Sequence, residues 1–133
     1  MHLIVCLDEN GGMTFNNRRQ SKDKMLIEDV MKLTENHRLF VSEYSSKLFE
    51  GENVIVDNDL LKNAKEDDFC FVEKEDVFEA IDKINDVVIY NWNRAYPSDK
   101  KFPKTAVLNK KTLVETTDFT GTSHEKITRE IYK

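Results

Sequence analysis

Residues Leu3-Ile4-Val5-Cys6-Leu7-Asp8-Glu9-Asn10-Gly11-Gly12 set the frame for the chain. Five apolar residues in a row, closed by a cluster of turn formers, read as a buried strand followed by a loop. The same grammar repeats outward from it. Leu26, Ile27, Val30, Met31 and Leu33 recur at helical spacing, so an amphipathic helix is expected over about residues 22–36, capped by Ser21 or Asp23. Leu39-Phe40-Val41 is the second strand. Ser42 caps a short helix carrying Tyr44, Leu48 and Phe49, which Gly51 stops.

Residues 53–56 form the third expected strand, followed by a turn or two around Leu60 and Leu61. Phe69-Cys70-Phe71-Val72 is the fourth. Val77, Phe78, Ile81 and Ile84 mark one face of a helix of about ten residues. Val87-Val88-Ile89-Tyr90 is the fifth strand, unbroken in apolar character and expected at the centre of the sheet. Strands alternating this regularly with helices imply right-handed crossovers and a parallel sheet. The ending differs. After Pro97 and Pro103 no helical stripe appears, and Leu113–Glu115 and Ile127–Tyr132 read as two strands joined across Gly121. The expected fold class is therefore α/β: three layers, a mostly parallel sheet with flanking helices, and an antiparallel C-terminal hairpin. No repeat or linker interrupts it, so residues 1–133 are expected as one domain.

Composition sets the outer bounds. With 39% apolar and 34% charged residues in 133, the chain can bury one core under a densely charged surface. No run approaches the ~18 apolar residues of a membrane span. The apolar segment near Met1 is short for a secretory signal and has no basic stretch before it. A soluble, cytoplasmic protein with no membrane partner is the expectation. Lys plus Arg is 20 against 25 for Asp plus Glu, a net charge of −5, which opposes a nucleic-acid binder working through its whole surface. Two basic segments, Arg18-Arg19 with Lys22 and Lys24, and Lys100 to Lys111, read first as solvated loops.

Cys6 and Cys70 sit inside apolar runs and lack CxxC spacing, so they read as reduced core residues. His2, His37 and His124 are scattered, with no HxH or HExxH pair, and no metal site is expected. The acids of Glu66-Asp67-Asp68 and Glu73-Lys74-Glu75-Asp76 suit turns and helix starts. No serine has a GxSxG context. Ser123 and His124, read as strand neighbours, should face opposite sides.

The order of elements and four stretches of wording resemble the dihydrofolate reductase family. LIVCLDENGGMTFNNR resembles its first strand and the mobile loop over its active site. LFVSEYSSKLFEGENVIV resembles the segment from its second to its third strand, VVIYNWNRAY its VIGGGxxIY segment, and FTGTSHEKITREIYK its terminal hairpin. The resemblance implies a folate cleft, an NADPH site and an acid on the first helix that protonates the pterin.

Against those implications stand specific departures. The Pro-Trp pair that precedes the acid by five residues appears as Gln20-Ser21, and Leu26 occupies the acid's place. Asp23 lies three residues earlier, about 300° away around a helix, and reads as a carboxylate favouring the helix start. Glu52 stands near the arginine that grips the folate tail, and Glu43 near the one that holds the NADPH phosphate. Where the family has its phosphate-facing glycine pair, this chain reads Tyr90-Asn91-Trp92-Asn93-Arg94, and Trp92 would fill the space that the pyrophosphate requires. The chain is also expected to lack a further helix and parallel strand after the fifth strand.

These changes disfavour NADPH, so no cofactor is expected and classical reductase activity is not. The leading expectation is a small-molecule or nucleotide binder using the remnant cleft. Met13, Thr14, Phe15, Glu43, Asn91, Trp92, Asn93 and Arg94 are its candidate lining, with no catalytic residue assigned. Trp92 either plugs that cleft or stacks a base. The alternatives are an RNA- or protein-interaction module gripping through Arg18, Arg19, Lys22 and Arg94, and a homo-oligomeric assembly subunit, a homodimer at its simplest, pairing along a sheet edge. A zinc ribonuclease would need an HxHxDH cluster that three dispersed histidines do not supply.

Overall fold

The computed structural model describes residues Met1 to Lys133. In chain order, β1 (His2–Leu7) leads into a hairpin of β2 (Gly12–Phe15) and β3 (Arg18–Arg19), then α1 (Lys24–Leu33), β4 (Leu39–Val41) and α2 (Glu43–Ser46). Next come β5 (Val54–Val56), α3 (Leu60–Asn63), β6 (Phe69–Val72), a 3-10 helix at Val77–Lys83 and β7 (Asp86–Asn91). The chain closes with β8 (Lys100–Lys101), α4 (Lys104–Val107), β9 (Leu113–Phe119) and β10 (Ile127–Tyr132).

Seven strands make the main sheet in the order β5-β4-β6-β1-β7-β10-β9. The four pairings from β5 to β7 are parallel, and β10 alone runs against its neighbours β7 and β9. The opening strand β1 is the middle one, and the fifth predicted strand, β7, lies beside it. Alternation along β1 divides the core in two. Leu3, Val5 and Leu7 face one layer with Leu60, Leu61, Val77, Ala80 and Val107. Ile4 faces the other with Leu26, Val30, Phe49, Tyr90 and Trp92. The sheet is thus sandwiched between α1 and α2 on one face and α3, α4 and the 3-10 helix on the other, the three-layer α/β class read from the sequence.

Several elements differ from expectation. The second helix, α2, ends at Ser46, so Leu48 and Phe49 follow it and Gly51 is not its stop. The first helix is shorter than residues 22–36, because Asp23 takes the N-cap position with extended backbone and accepts from Met25 N. Such a cap contributes about 1 kcal/mol. The segment after Asp76 winds as a 3-10 rather than an α-helix. Residues after Pro103 form one short helical turn, α4. Finally, β2, β3 and β8 build a small second sheet that no apolar alternation announced; it positions the residues before α1.

Candidate functional site

The β2–β3 hairpin, the start of α1 and the ends of β6 and β7 converge on one cleft. Met13, Leu26, Phe71 and Trp92 make its apolar floor, and Arg19, Gln20, Ser21, Lys22 and Glu73 its polar rim. Its free volume is about 20 Å3, room for about one water molecule. Any larger ligand has to displace the rim.

Asp23 lies in the cleft wall, and as the N-cap of α1 it is the helix-start carboxylate expected from the sequence. Its Oδ1 accepts from Met25 N at 2.9 Å and Thr122 N at 2.9 Å, and its Oδ2 accepts from Ser123 N at 2.8 Å. His124 Nδ1 completes the set, 2.8 Å from Oδ2. Burial works against the charge, but these hydrogen bonds, led by His124, outweigh it and hold the Asp23 pKa at about 2. An ionised carboxylate only accepts, so Nδ1 of His124 carries the proton. The other ring nitrogen, Nε2, lies 3.0 Å from both Ser21 Oγ and Tyr96 Oη. Trp92 stacks on the imidazole face at 4.5 Å between ring centroids and 27° between planes.

The sequence reading missed this cluster for a physical reason. Ser123 and His124 lie in the loop between β9 and β10, so strand alternation does not apply. A backbone bond from Gly121 N to His124 O closes that loop, and it turns both residues toward Asp23. No local pattern links positions 21–23 to position 124.

Two other buried acids fix the rim. Asp8 accepts from Asn10 N, Gly12 N, Tyr96 N and Gln20 Nε2, tying the loop after β1 to the segment that carries Tyr96. Burial opposes ionisation there too, and the hydrogen bonds lower the Asp8 pKa overall. Glu73 is held by both Arg19 Nε at 2.8 Å and Arg19 Nη2 at 2.9 Å, and by Ser45 Oγ at 2.7 Å. Arg19 also lies 4.4 Å above the Tyr44 ring centroid, which Lys74 Nζ approaches to 3.5 Å. Gln20 Oε1 is buried without a partner.

The eight residues singled out from the sequence separate onto several surfaces. Met13 and Trp92 meet in the cleft, and Trp92 is 3% exposed, packed in rather than standing open. Thr14 is buried beside Met13 in β2. Phe15 is exposed on a neighbouring depression with Arg18, Gln20, Tyr96 and Pro97. Glu43 lies with Tyr44 and Lys47 on a depression that meets the cleft at Arg19. Asn91 and Asn93 line the opposite side of the loop after β1. Asn91 is bonded to Glu130, and Asn93 to Thr128 and the Lys126 carbonyl. Arg94 is exposed. Among the described residues, no cluster of three His, Cys, Asp or Glu could hold a metal. Cys6, beside the cleft, and Cys70 are free thiols; burial raises both, Cys70 to about 12. No helix is long and apolar enough to cross a membrane.

Sheet order, the lone antiparallel β10 and the cleft against α1 define a dihydrofolate reductase-type fold. Among solved structures, dihydrofolate reductase from Enterococcus faecalis complexed with NADP(H) and RAB-propyl is similar, with a TM-score of 0.65 and 14% sequence identity. The match covers 98% of this chain and 94% of that one. No protein-family model and no curated protein sequence matches the chain.

Such coverage corrects the expected loss of a helix and strand. The fifth predicted strand had been compared with the family's glycine-pair strand, which a helix and a further parallel strand should follow. In the sheet it is β6 that leads through a helix into a parallel strand, β7; β7 leads into the antiparallel hairpin. The comparison therefore belongs one strand earlier. The segment around Trp92 follows β7 and so is not the place of that comparison.

Proposed function

We propose that this chain is a small-molecule or nucleotide binder, built on a dihydrofolate reductase-type fold, that does not reduce folate. The observation carrying this reading is the composition of the cleft: an apolar floor at Met13, Leu26, Phe71 and Trp92, under a rim of convergent polar groups. Gln20 Oε1 is a buried acceptor still wanting a donor. Apolar walls with a few placed polar groups are the general form of a ligand site.

Two features argue against folate and NADPH as the occupants. The four hydrogen bonds on Asp23 use up its lone pairs, so it neither takes nor delivers a proton readily. The turn after β6, where the sheet order puts the family's glycine pair, reads Glu73-Lys74-Glu75-Asp76, with no glycine to let a pyrophosphate approach the backbone. Two free thiols fit a reducing, cytoplasmic setting. Arg19 is committed to Glu73, which leaves Arg18, Lys22 and Arg94 as the exposed cations for an RNA or protein partner. A second reading, self-association along β9, rests on the free outer edge of that strand and its exposed Leu113 and Val114; light scattering tests it.

The deciding experiment combines native mass spectrometry of the purified protein with thermal shifts against nucleotides, pterins, dihydrofolate and NADPH. A stabilising nucleotide or small co-purifying molecule that also changes the fluorescence of Trp92, the only tryptophan, is expected. Turnover of dihydrofolate with NADPH, or the absence of any ligand across the panel, overturns the reading.

A further inference from the structure

We propose that Ser21, His124 and Asp23 form a nucleophilic relay that hydrolyses esters of small carboxylic acids. The inference rests on the reading of the cleft as a small-molecule site and goes beyond it, from binding to chemistry. Three contacts carry it. Ser21 Oγ lies 3.0 Å from His124 Nε2, and His124 Nδ1 lies 2.8 Å from Asp23 Oδ2. These are the distances that let an imidazole accept a serine proton while a carboxylate fixes its tautomer. The Trp92 ring, stacked on the imidazole, holds its plane.

The burial gradient runs in the direction such chemistry requires. Asp23 and His124 are buried, with side chains 0% and 2% exposed, whereas Ser21 is half-buried on the cleft rim. The far end of the relay is shielded from water, and the nucleophile is reachable. Tyr96 supplies a fourth part. Nε2 offers a single lone pair to two hydroxyl groups at 3.0 Å, so only one can donate to it at a time. When Ser21 donates to the nitrogen, the Tyr96 proton is released to bond an acyl oxygen on which negative charge develops.

In the reaction, Ser21 Oγ adds to the ester carbonyl carbon as its proton passes to Nε2. The bond from that carbon to the alkoxy oxygen breaks, and the alcohol leaves with the proton returned from Nε2. Water, losing a proton to the same nitrogen, then adds to the acyl-serine. The carboxylic acid departs and Ser21 is restored. With room for about one water beside Ser21, even an acetyl group enters only by displacing the rim, so short acyl groups are favoured over long ones. The leaving group faces the open depression formed by Phe15, Arg18, Tyr96 and Pro97, which favours a polar or anionic one.

The test uses p-nitrophenyl acetate and an alkyl fluorophosphonate on the whole chain, with intact-mass and peptide analysis. A burst of about one nitrophenolate per chain and a single adduct mapped to Ser21 are expected. Both should be absent in Ser21→Ala and reduced at least about a hundredfold in His124→Gln, the scale of general-base assistance. Tyr96→Phe should retain the adduct and slow its formation. If His124→Gln fails to fold, mapping in the wild type and Ser21→Ala decides the matter. No adduct on Ser21, or labelling that ignores the loss of His124 in a folded variant, overturns the inference. Ligand-induced thermal shifts with no acylation would leave the binding reading standing and remove only the relay.

Discussion

His124 Nδ1 and Asp23 Oδ2 meet at 2.8 Å across 101 positions of sequence, with both side chains almost wholly buried. The contact joins the loop before β10 to the N-cap of α1. It is one of four hydrogen bonds on the same carboxylate, so the N-cap of a helix and the anchor of a distant loop are a single group.

Stability should therefore fall in acid through Asp23. Its folded pKa of about 2 lies below the ordinary 3.8. A depressed carboxylate stabilises the fold above its unfolded pKa, and the contribution is lost as pH falls from about 4 toward 2. The amount is about 2 kcal/mol. Urea midpoints measured between pH 7 and pH 2.5 should show the decline, superimposed on smaller losses from Asp8 and Asp68, which are also lowered. Asp23→Asn should be less stable at pH 7 and show a flatter profile. A wild-type midpoint unchanged down to pH 2.5 contradicts this account.

A half-buried acid joins other elements. Asp29 accepts from Tyr90 Oη at 2.6 Å and Arg129 Nη1 at 2.8 Å, linking α1, β7 and β10. Burial and the neighbouring carboxylate push the Tyr90 phenol far up, so it remains a donor at any ordinary pH. Tyr90→Phe should cost about 1 kcal/mol, and Asp29→Ala about 2–3 kcal/mol because it strands a phenol and a guanidinium together. The double variant should cost less than the sum of the two, as a thermodynamic cycle would show.

Gly121 tests the close approach beneath the loop. A Cβ there would run into the Asp23 carboxylate and stand 2.9 Å from Ile127 Cδ1. Gly121→Ala should cost about 1–3 kcal/mol, and should also weaken the pairing of His124 with Asp23. Chemical denaturation together with the NMR shifts of the His124 ring reads both effects. An unchanged ring signal in a destabilised protein would place the strain elsewhere.

Trp92→Ala should lower stability by about 3–5 kcal/mol, the usual penalty for emptying a buried aromatic site. Part of that loss should be recoverable. Indole added at concentrations above its dissociation constant stabilises the folded form by mass action and raises the melting temperature of the variant only. Equal shifts in variant and wild type would mean indole binds at some other place.

The sheet was legible because its strands are short apolar runs bounded by turn formers, and the regular spacing of Leu26, Val30 and Leu33 marked α1. Ser42 was read correctly as a cap because its signal is local: its hydroxyl accepts from Ser45 N, three residues on. The site was less accessible. Met13 and Trp92 enter the candidate lining through the family resemblance, Met13 in the loop after the first strand and Trp92 after the fifth, whereas His124 depends on a loop conformation that no periodicity encodes. Asp23 was legible as a helix-start carboxylate but not as a cleft residue, because a helix-face angle does not apply to backbone extended at φ −154°. The family comparison failed at Trp92 because two parallel strands consecutive in the chain, β6 and β7, which flank β1 in the sheet, carry similar apolar runs. Only sheet order separates them.

The position of β10 bears on how the protein comes into being on a ribosome. It is the last strand in chain order, yet it is inserted between β7 and β9, and the residues just before it deliver His124 to Asp23. A growing chain can align the parallel strands β1, β4, β5, β6 and β7 while Asp23 still lacks three of its four donors. Such long-range closure is slow compared with local folding. For that interval the α1 carboxylate is hydrated and the cleft has one wall missing. Docking of a single antiparallel strand thus does two things at once: it completes the donors on Asp23 and supplies the missing wall of the cleft.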